Sequence, residues 1–423
     1  MERPKRITLQ SGLRLILVPR PSSLTTAILV MVATGSKHET KEVNGISHFL
    51  EHMCFKGTVN RPRPIDIASE LDGLGAQYNA FTSQEFTGYF AKVRNETFDR
   101  ALAVVADLYV NPLLDPDEIE REKGVIIEEI NMYEDTPTRR VHELFFELVY
   151  GDQPAGWGIA GRKEVVRRLK RDDFITYRRA HYRAPATVVV VAGGFDSRTV
   201  RRNVARHFAS LRGGKESKKV PVQESQAAPQ ESVRFKETDQ AHLILGFRAF
   251  SMFDPRRFAL QLLAHVLGGG MSSRLFQRIR EEMGAAYYVH ASADLLSDHG
   301  LLSMAAGVQE KRIEHVIKAA LEEFKRISEE TIPAGELARA KEHLVGNLFL
   351  SLETSDEIAL FYGCEEVLRV PLMTPEEVAK NIYAVTSDAV RAAARATIVN
   401  AGLNLAVIGS FQGRSFRDVL KVI

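Results

Sequence analysis

Gly45-Ile46-Ser47-His48-Phe49-Leu50-Glu51-His52-Met53-Cys54-Phe55-Lys56-Gly57-Thr58 is an apolar run interrupted by two histidines and a glutamate. On a helix that turns about 100° per residue, positions 48 and 52 stand roughly 40° apart and position 51 projects from the same side. Two imidazoles so placed can grip one metal ion, with a carboxylate beside them. A catalytic zinc takes three protein ligands and keeps one position for water, so this helix supplies two of the three. From the residues alone, Glu51 reads as a general base, as a third ligand or as a solvated helix residue.

Upstream, Leu13-Arg14-Leu15-Ile16-Leu17-Val18 and Ala27-Ile28-Leu29-Val30-Met31-Val32 are strand runs, the second buried on both faces. Downstream, Pro62 and Pro64 precede a helix over 65–74 that stops at Gly75. Strands over 77–82 and 85–93 come next, then a helix over 96–110. Asp115-Pro116-Asp117-Glu118 places a capping aspartate, a proline and acidic residues at a helix start, and that helix runs towards Tyr133. Helices over 139–149 and 172–181, a strand over 187–193 and a helix to Phe208 complete the first half. Residues 213–232 lose apolar periodicity and read as a linker.

The second half repeats the first. A strand over 242–247 leads to a helix with Ala264-His265-Val266-Leu267-Gly268-Gly269-Gly270. Set against Glu51 to Gly57, it keeps the second histidine but places Gln261 opposite His48 and Ala264 opposite Glu51. Pro333 to Lys341 matches the frame of Asp115 to Lys123, with Ala340 opposite Glu122 and Asn347 opposite Glu129. A strand over 403–409 and a terminal helix echo 188–208. The expected fold is therefore α+β, one domain duplicated: residues 1–212 with the metal site, a linker at 213–232, and a homologous domain at 233–423 without it.

The order His-x-x-Glu-His on an apolar helix is the inverzincin signature, and the stretch resembles the active-site helix of the pitrilysin family of metallopeptidases. The likeness covers nearly the whole chain and is to the short, two-domain members such as the mitochondrial processing peptidase β subunit. It implies a third zinc ligand at Glu129, with 76 residues between it and His52; Glu128 is adjacent, but the family frame falls on Glu129. It implies that Glu122 hydrogen-bonds a ligand histidine and that Glu51 is the general base. Asn79, Ala80 and Phe81 resemble the family's substrate-binding edge strand, which holds peptide by main-chain hydrogen bonds. Arg280 and Tyr287 match an arginine and tyrosine pair that supports the oxyanion. Taken from the residues alone, these last two groups read as an ordinary hairpin strand, a helix-end cation and a half-buried tyrosine.

One zinc per chain and a homodimer that encloses oligopeptides or unfolded, presequence-like segments are the further expectations, with a structural subunit like the respiratory-complex core proteins, or a peptide-binding module, as alternatives. With 56 basic and 54 acidic residues, the near-neutral balance gives no support to nucleic-acid binding. Two cysteines, Cys54 and Cys364, are too few for a disulfide framework and favour a reducing, cytoplasmic setting. The sequence has neither a signal-peptide pattern nor an apolar run of membrane-spanning length. Gly268-Gly269-Gly270 lacks the Lys-Ser/Thr of a phosphate loop and reads as a turn. His142, His181 and His265 have no ligand-spaced partner in the sequence and read as packed or surface residues.

Overall fold

A computed structural model describes residues 3–422. In chain order the strands are β1 (Lys5–Thr8), β2 (Arg14–Pro19), β3 (Thr25–Val32), β4 (Gln77–Thr82), β5 (Thr87–Arg94), β6 (Thr187–Gly193), β7 (Gln230–Phe235), β8 (Ala241–Ala249), β9 (Ala286–Leu295), β10 (Gly300–Val308) and β11 (Leu403–Gly409). The helices are α1 (Ile46–Cys54), α2 (Pro64–Gly73), α3 (Phe98–Val110), α4 (Pro116–Asp135), α5 (Pro137–Tyr150), α6 (Lys163–Arg168), α7 (Arg171–His181), α8 (Ser197–His207), α9 (Arg257–Gly268), α10 (Ile313–Glu329), α11 (Ala334–Leu350), α12 (Ser355–Val367), α13 (Pro375–Ala384) and α14 (Ser387–Thr397).

The strands form two sheets, ordered β1-β2-β6-β3-β5-β4 and β7-β11-β8-β10-β9. Beyond the extra strand β1, the two have the same plan. β2 runs parallel to β6 as β7 runs parallel to β11, and each remaining neighbour pair is antiparallel in both sheets. The duplication expected from the sequence is thus a duplication of topology. β6 is a run of valines buried at every position, as a central strand covered on both faces requires.

The chain divides into two compact units that are not continuous in sequence. The first holds the chain up to Ile130, then Gly158–Val220 and Phe349–Thr374; the second holds Asn131–Trp157, Pro221–Leu348 and the chain from Pro375 onward. Each sequence half therefore sends one helix to the other unit. α12 lies on the first sheet, where Gly363 sits so close that a Cβ there would approach Met31 Sδ to 2.7 Å and Leu29 Cδ2 to 3.0 Å. It also supplies Glu366 to Arg14 of β2, an ion pair of 3.1 Å in which both side chains are 3% exposed. α5 lies on the second sheet, with Phe145 among Ile244, Leu301, Ala305 and Ile408.

The helix expected after β11 is not formed. A single 3-10 turn, Arg417–Val419, interrupts irregular chain, and of the buried residues Phe411, Phe416, Leu420 and Val422 one neighbouring pair alone, Phe416 and Leu420, stands at a helical interval. β7 begins at Gln230, inside the stretch expected to be linker. Among the described residues no helix is long and apolar enough to cross a membrane.

Candidate metal and catalytic site

The helix α1 buries Ile46, Phe49, Leu50, Met53 and Cys54, which leaves His48, Glu51 and His52 along its less buried side. Its start is fixed from outside the helix. Gly45 precedes it at φ +98°, and a Cβ there would come within 2.6 Å of the Ala160 carbonyl, so glycine is required twice over. The carboxylate of Glu39, only 4% exposed, stands where a local capping side chain would normally be. Its Oε2 accepts from the Gly45 N–H (2.7 Å) and Asn44 Nδ2 (2.9 Å), and its Oε1 from the Ser47 N–H (2.8 Å). The Ser47 hydroxyl continues the network to Tyr177 (2.7 Å) and through it to Thr34 (3.0 Å). Burial pushes the Glu39 carboxyl up to about 7, against the lowering effect of those hydrogen bonds.

α4 brings up the remaining groups. Asp115 Oδ1 caps it by accepting from the Asp117 and Glu118 N–H groups at 2.9 and 3.2 Å, and Pro116 opens it. Glu122 and Glu129, two turns apart, face α1. Glu129 Oε2 lies 3.7 Å from His48 Nε2 and 3.5 Å from His52 Nε2. His48, His52 and Glu129 offer one ligand atom each within 4.8 Å of one another, the one such group of three among the described residues. Two imidazoles and a carboxylate so gathered fit a borderline divalent ion. On the far side of His52, Nδ1 meets Glu122 Oε1 at 2.9 Å, and Lys56 Nζ meets the other Glu122 oxygen at 2.7 Å. This fixes the His52 ring with Nε2 turned to Glu129. His48 Nδ1 is buried without such a partner.

The electrostatics separate the two histidines. Burial, with the neighbouring His52, lowers His48 to about 4, so it is a neutral donor. Burial also opposes charge on His52, but its hydrogen bond and charge contact with Glu122 outweigh that and raise it. Glu122 itself is held low, its burial outweighed by the His52 and Lys56 bonds. Glu51 is raised by burial, an effect that the hydrogen bond from Thr82 Oγ1 to Glu51 Oε2 (2.6 Å) partly offsets.

β4 is the edge of the first sheet, paired only with β5. Its Ala80 N–H is held by the Asn79 side chain at 2.9 Å. Because strand residues alternate between faces, Thr82 reaches Glu51 while Phe81 turns to the opposite face. There its ring covers Gly88, where a Cβ would lie 2.3 Å from Phe81 Cζ, and it lines an apolar recess with Phe90, Ile28 and Leu360. Arg280 and Tyr287 belong to the second unit. Arg280 lies 5.0 Å over the Phe276 ring, and Tyr287 is 76% exposed at the start of β9, the edge strand of its sheet.

Glu39, Lys56 and Thr82 escape a reading of the sequence, since each acts on a residue far from it along the chain or off its own element. His265 is a correction: it has a partner, His343, 78 residues on, with Nε2 to Nδ1 at 2.8 Å.

Two family models match the chain, one described as Insulinase (Peptidase family M16) over residues 14–163 and one as Peptidase M16 inactive domain over residues 168–344. A Bacillus subtilis protein named uncharacterized zinc protease YmxG is 37% identical over 391 residues, 92% of this chain and 95% of that protein. A Streptomyces coelicolor protein named uncharacterized zinc protease SCO5738 is 34% identical over 97% of this chain and 90% of its own length. Among solved structures, a protease from Helicobacter pylori superposes with a TM-score of 0.88 at 22% identity, covering 96% of this chain and 99% of its own. A chain of complex III2 from Candida albicans gives 0.85 at 18% identity, covering 98% and 99%.

Proposed function

Because the chain belongs to the insulinase (M16), or pitrilysin, peptidase family, in its short two-domain form, we propose that it is a zinc-dependent endopeptidase that cuts oligopeptides or unfolded segments. The observation that carries this reading is the meeting of His48, His52 and Glu129 within 4.8 Å, with Glu51 next to His52 on the same helix. His48, His52 and Glu129 would hold one zinc per chain, with Glu122 orienting His52. Zinc in such a site supplies a Lewis acid that polarises the substrate carbonyl and lowers the pKa of water to about 7.

The chain's own groups do the rest. Glu51 takes the proton of the attacking water and returns it to the departing amine. Its carboxyl, raised by burial, is shifted towards neutral pH, where a general base and acid works best. The open edge of β4 at Asn79 and Ala80 binds the peptide as an added strand, the Asn79 side chain releasing the Ala80 N–H to it. Phe81 takes part through the apolar recess on the far face of that strand. Arg280 and Tyr287 anchor substrate carbonyls and the oxyanion, supplied by a second copy in a cytoplasmic homodimer that encloses the substrate.

A second reading, a non-catalytic subunit, draws on the shared fold with the complex III2 chain; the complete His48, Glu51, His52 and Glu129 set weighs against it. Cleavage of an internally quenched fluorescent peptide separates the two. Turnover abolished by a chelator and restored by zinc supports the peptidase, and no turnover under any metal condition supports the subunit.

A further inference from the structure

The near balance of charge over the whole chain hides a segregation. Residues 162–219, all in the first unit, carry 17 basic side chains against 5 acidic ones, so the rest of the chain is net acidic. The helix α8 concentrates this charge on one side. Val200, Asn203 and Val204 are buried, and Arg198, Arg201, Arg202 and Arg206 are exposed on the opposite side, within an arc of about 140° at about 100° per residue. The side chains of Arg198, Arg201 and Arg202 have no hydrogen-bond or ion-pair partner among the described residues, and Arg206 meets only another base, His207 Nε2, at 3.3 Å. The acids close by are engaged. Asp196 accepts from the Thr199 N–H at 2.8 Å to cap the helix, and Asp99 accepts from Asn203 at 2.7 Å. Four like charges held together without a counter-charge favour an anion from outside the chain.

An apolar tip adjoins the row. Leu24, between β2 and β3, is 85% exposed, more than any other large apolar residue among those described. Its carbonyl accepts the Asn95 N–H at 3.3 Å, and the Ser23 carbonyl accepts Asn95 Nδ2 at 2.7 Å. A Cβ at Gly194, three residues before α8 begins, would lie 2.5 Å from the Ser23 carbonyl oxygen. Leu24 therefore stands at the N-terminal end of the arginine row. Exposed Glu96, on the turn beside it, is outnumbered by exposed Arg94 and Arg100.

We propose that α8 and the Leu24 loop form a peripheral docking surface for an anionic lipid bilayer, with the arginines on the headgroup phosphates and Leu24 in the boundary with the acyl chains. Guanidinium groups pair with phosphate oxygens through parallel N–H bonds, and a row of them is drawn to the negative surface of a bilayer. The exposed leucine is what selects lipid over nucleic acid. It gains from acyl chains and gains nothing from a sugar–phosphate backbone, and α8 carries no Phe, Tyr or Trp on which a base could stack. One aliphatic side chain and a short arginine row fall well short of a permanent anchor, so the attachment is reversible and weakened by salt.

The test is co-sedimentation of the full chain with vesicles of phosphatidylcholine alone and of phosphatidylcholine mixed with phosphatidylglycerol, at low and high salt. Binding is expected to the mixed vesicles at low salt and not to phosphatidylcholine alone. Arg198→Glu with Arg202→Glu should weaken it by about tenfold or more, and Leu24→Ser should weaken it several-fold. The same change of charge placed on exposed residues of the second unit, Arg339→Glu with Lys421→Glu, should leave it unaltered, which separates a local surface from an effect of net charge. All variants should keep the circular dichroism spectrum of the wild type. Absence of binding to the mixed vesicles overturns the proposal, as does binding that the α8 variant leaves unaltered or that the second-unit variant weakens equally. A DNA duplex bound more tightly than the vesicles at the same salt, with Leu24→Ser without effect, would assign the surface to nucleic acid and overturn it too.

Discussion

Thr82 Oγ1 donates to Glu51 Oε2 at 2.6 Å and so joins the edge strand β4 to the carboxylate of the metal-binding helix. The bond stabilises the ionised form of Glu51 against the burial that disfavours it. Thr82→Val removes it at nearly constant shape and should raise the Glu51 pKa further. The acid limb of the pH profile of kcat/KM, which reports the carboxylate losing its proton, should then move to higher pH. Metal content should not change. An unmoved acid limb would mean that this bond does not tune the base.

Glu122 is shared between His52 Nδ1 and Lys56 Nζ, at 2.9 and 2.7 Å. Partners that orient a ligand histidine are worth about 10–100-fold in metal affinity. Glu122→Ala should therefore weaken zinc binding by about that factor in competition with a chromogenic chelator. Wild-type affinity in this variant would show that His52 needs no such orientation.

Glu39 gives the fold a pH dependence. Its folded-state pKa, about 7, lies above that of an exposed glutamate, so the folded chain binds the extra proton between the two values. Stability from this group is present below the unfolded pKa of about 4.3 and falls as pH rises towards 7. Glu39→Gln removes the titration while keeping the shape. Its stability relative to wild type should improve steadily from pH 5 to pH 8 in urea denaturation, and a constant difference across that range would contradict the assignment.

The exchange of helices makes the sequence halves interdependent. Residues 1–212 alone would lack α12, exposing Leu29, Met31 and Val190 and taking Glu366 away from Arg14. Uncovering a buried aliphatic side chain forfeits about 1.5–3 kcal/mol, so several together are comparable with the whole stability of many domains, about 5–15 kcal/mol. The isolated fragment should be aggregated or unfolded by circular dichroism and size-exclusion chromatography. A soluble, cooperatively folded fragment would show that α12 is dispensable to the first sheet.

Local chemistry in the sequence reaches a good part of this structure. The buried runs at 27–32 and 187–193 are strands, Asp115-Pro116 starts a helix, and His48, His52 and Glu129 converge. The convergence on Glu129 comes from family resemblance, because spacing along the chain does not say which helix returns to which. Three features stay hidden for the same physical reason. An apolar face such as those of α5 and α12 requires burial without naming the sheet that provides it. Glu39 caps a helix from outside the capping positions, and His265 finds His343 only once α9 and α11 have packed. The missing terminal helix is a different case, since the repeat of topology ends at β11 and irregularly spaced apolar residues anchor the rest of the chain.

The most direct test of the peptidase reading is Glu51→Gln, assayed for zinc by atomic absorption and for cleavage of a quenched peptide by fluorescence. The expected result is one zinc per chain, as in wild type, with turnover reduced at least 100-fold, within the range that general acid–base catalysis contributes. Retained turnover would remove Glu51 from the role of base, and loss of zinc along with turnover would make it a ligand instead.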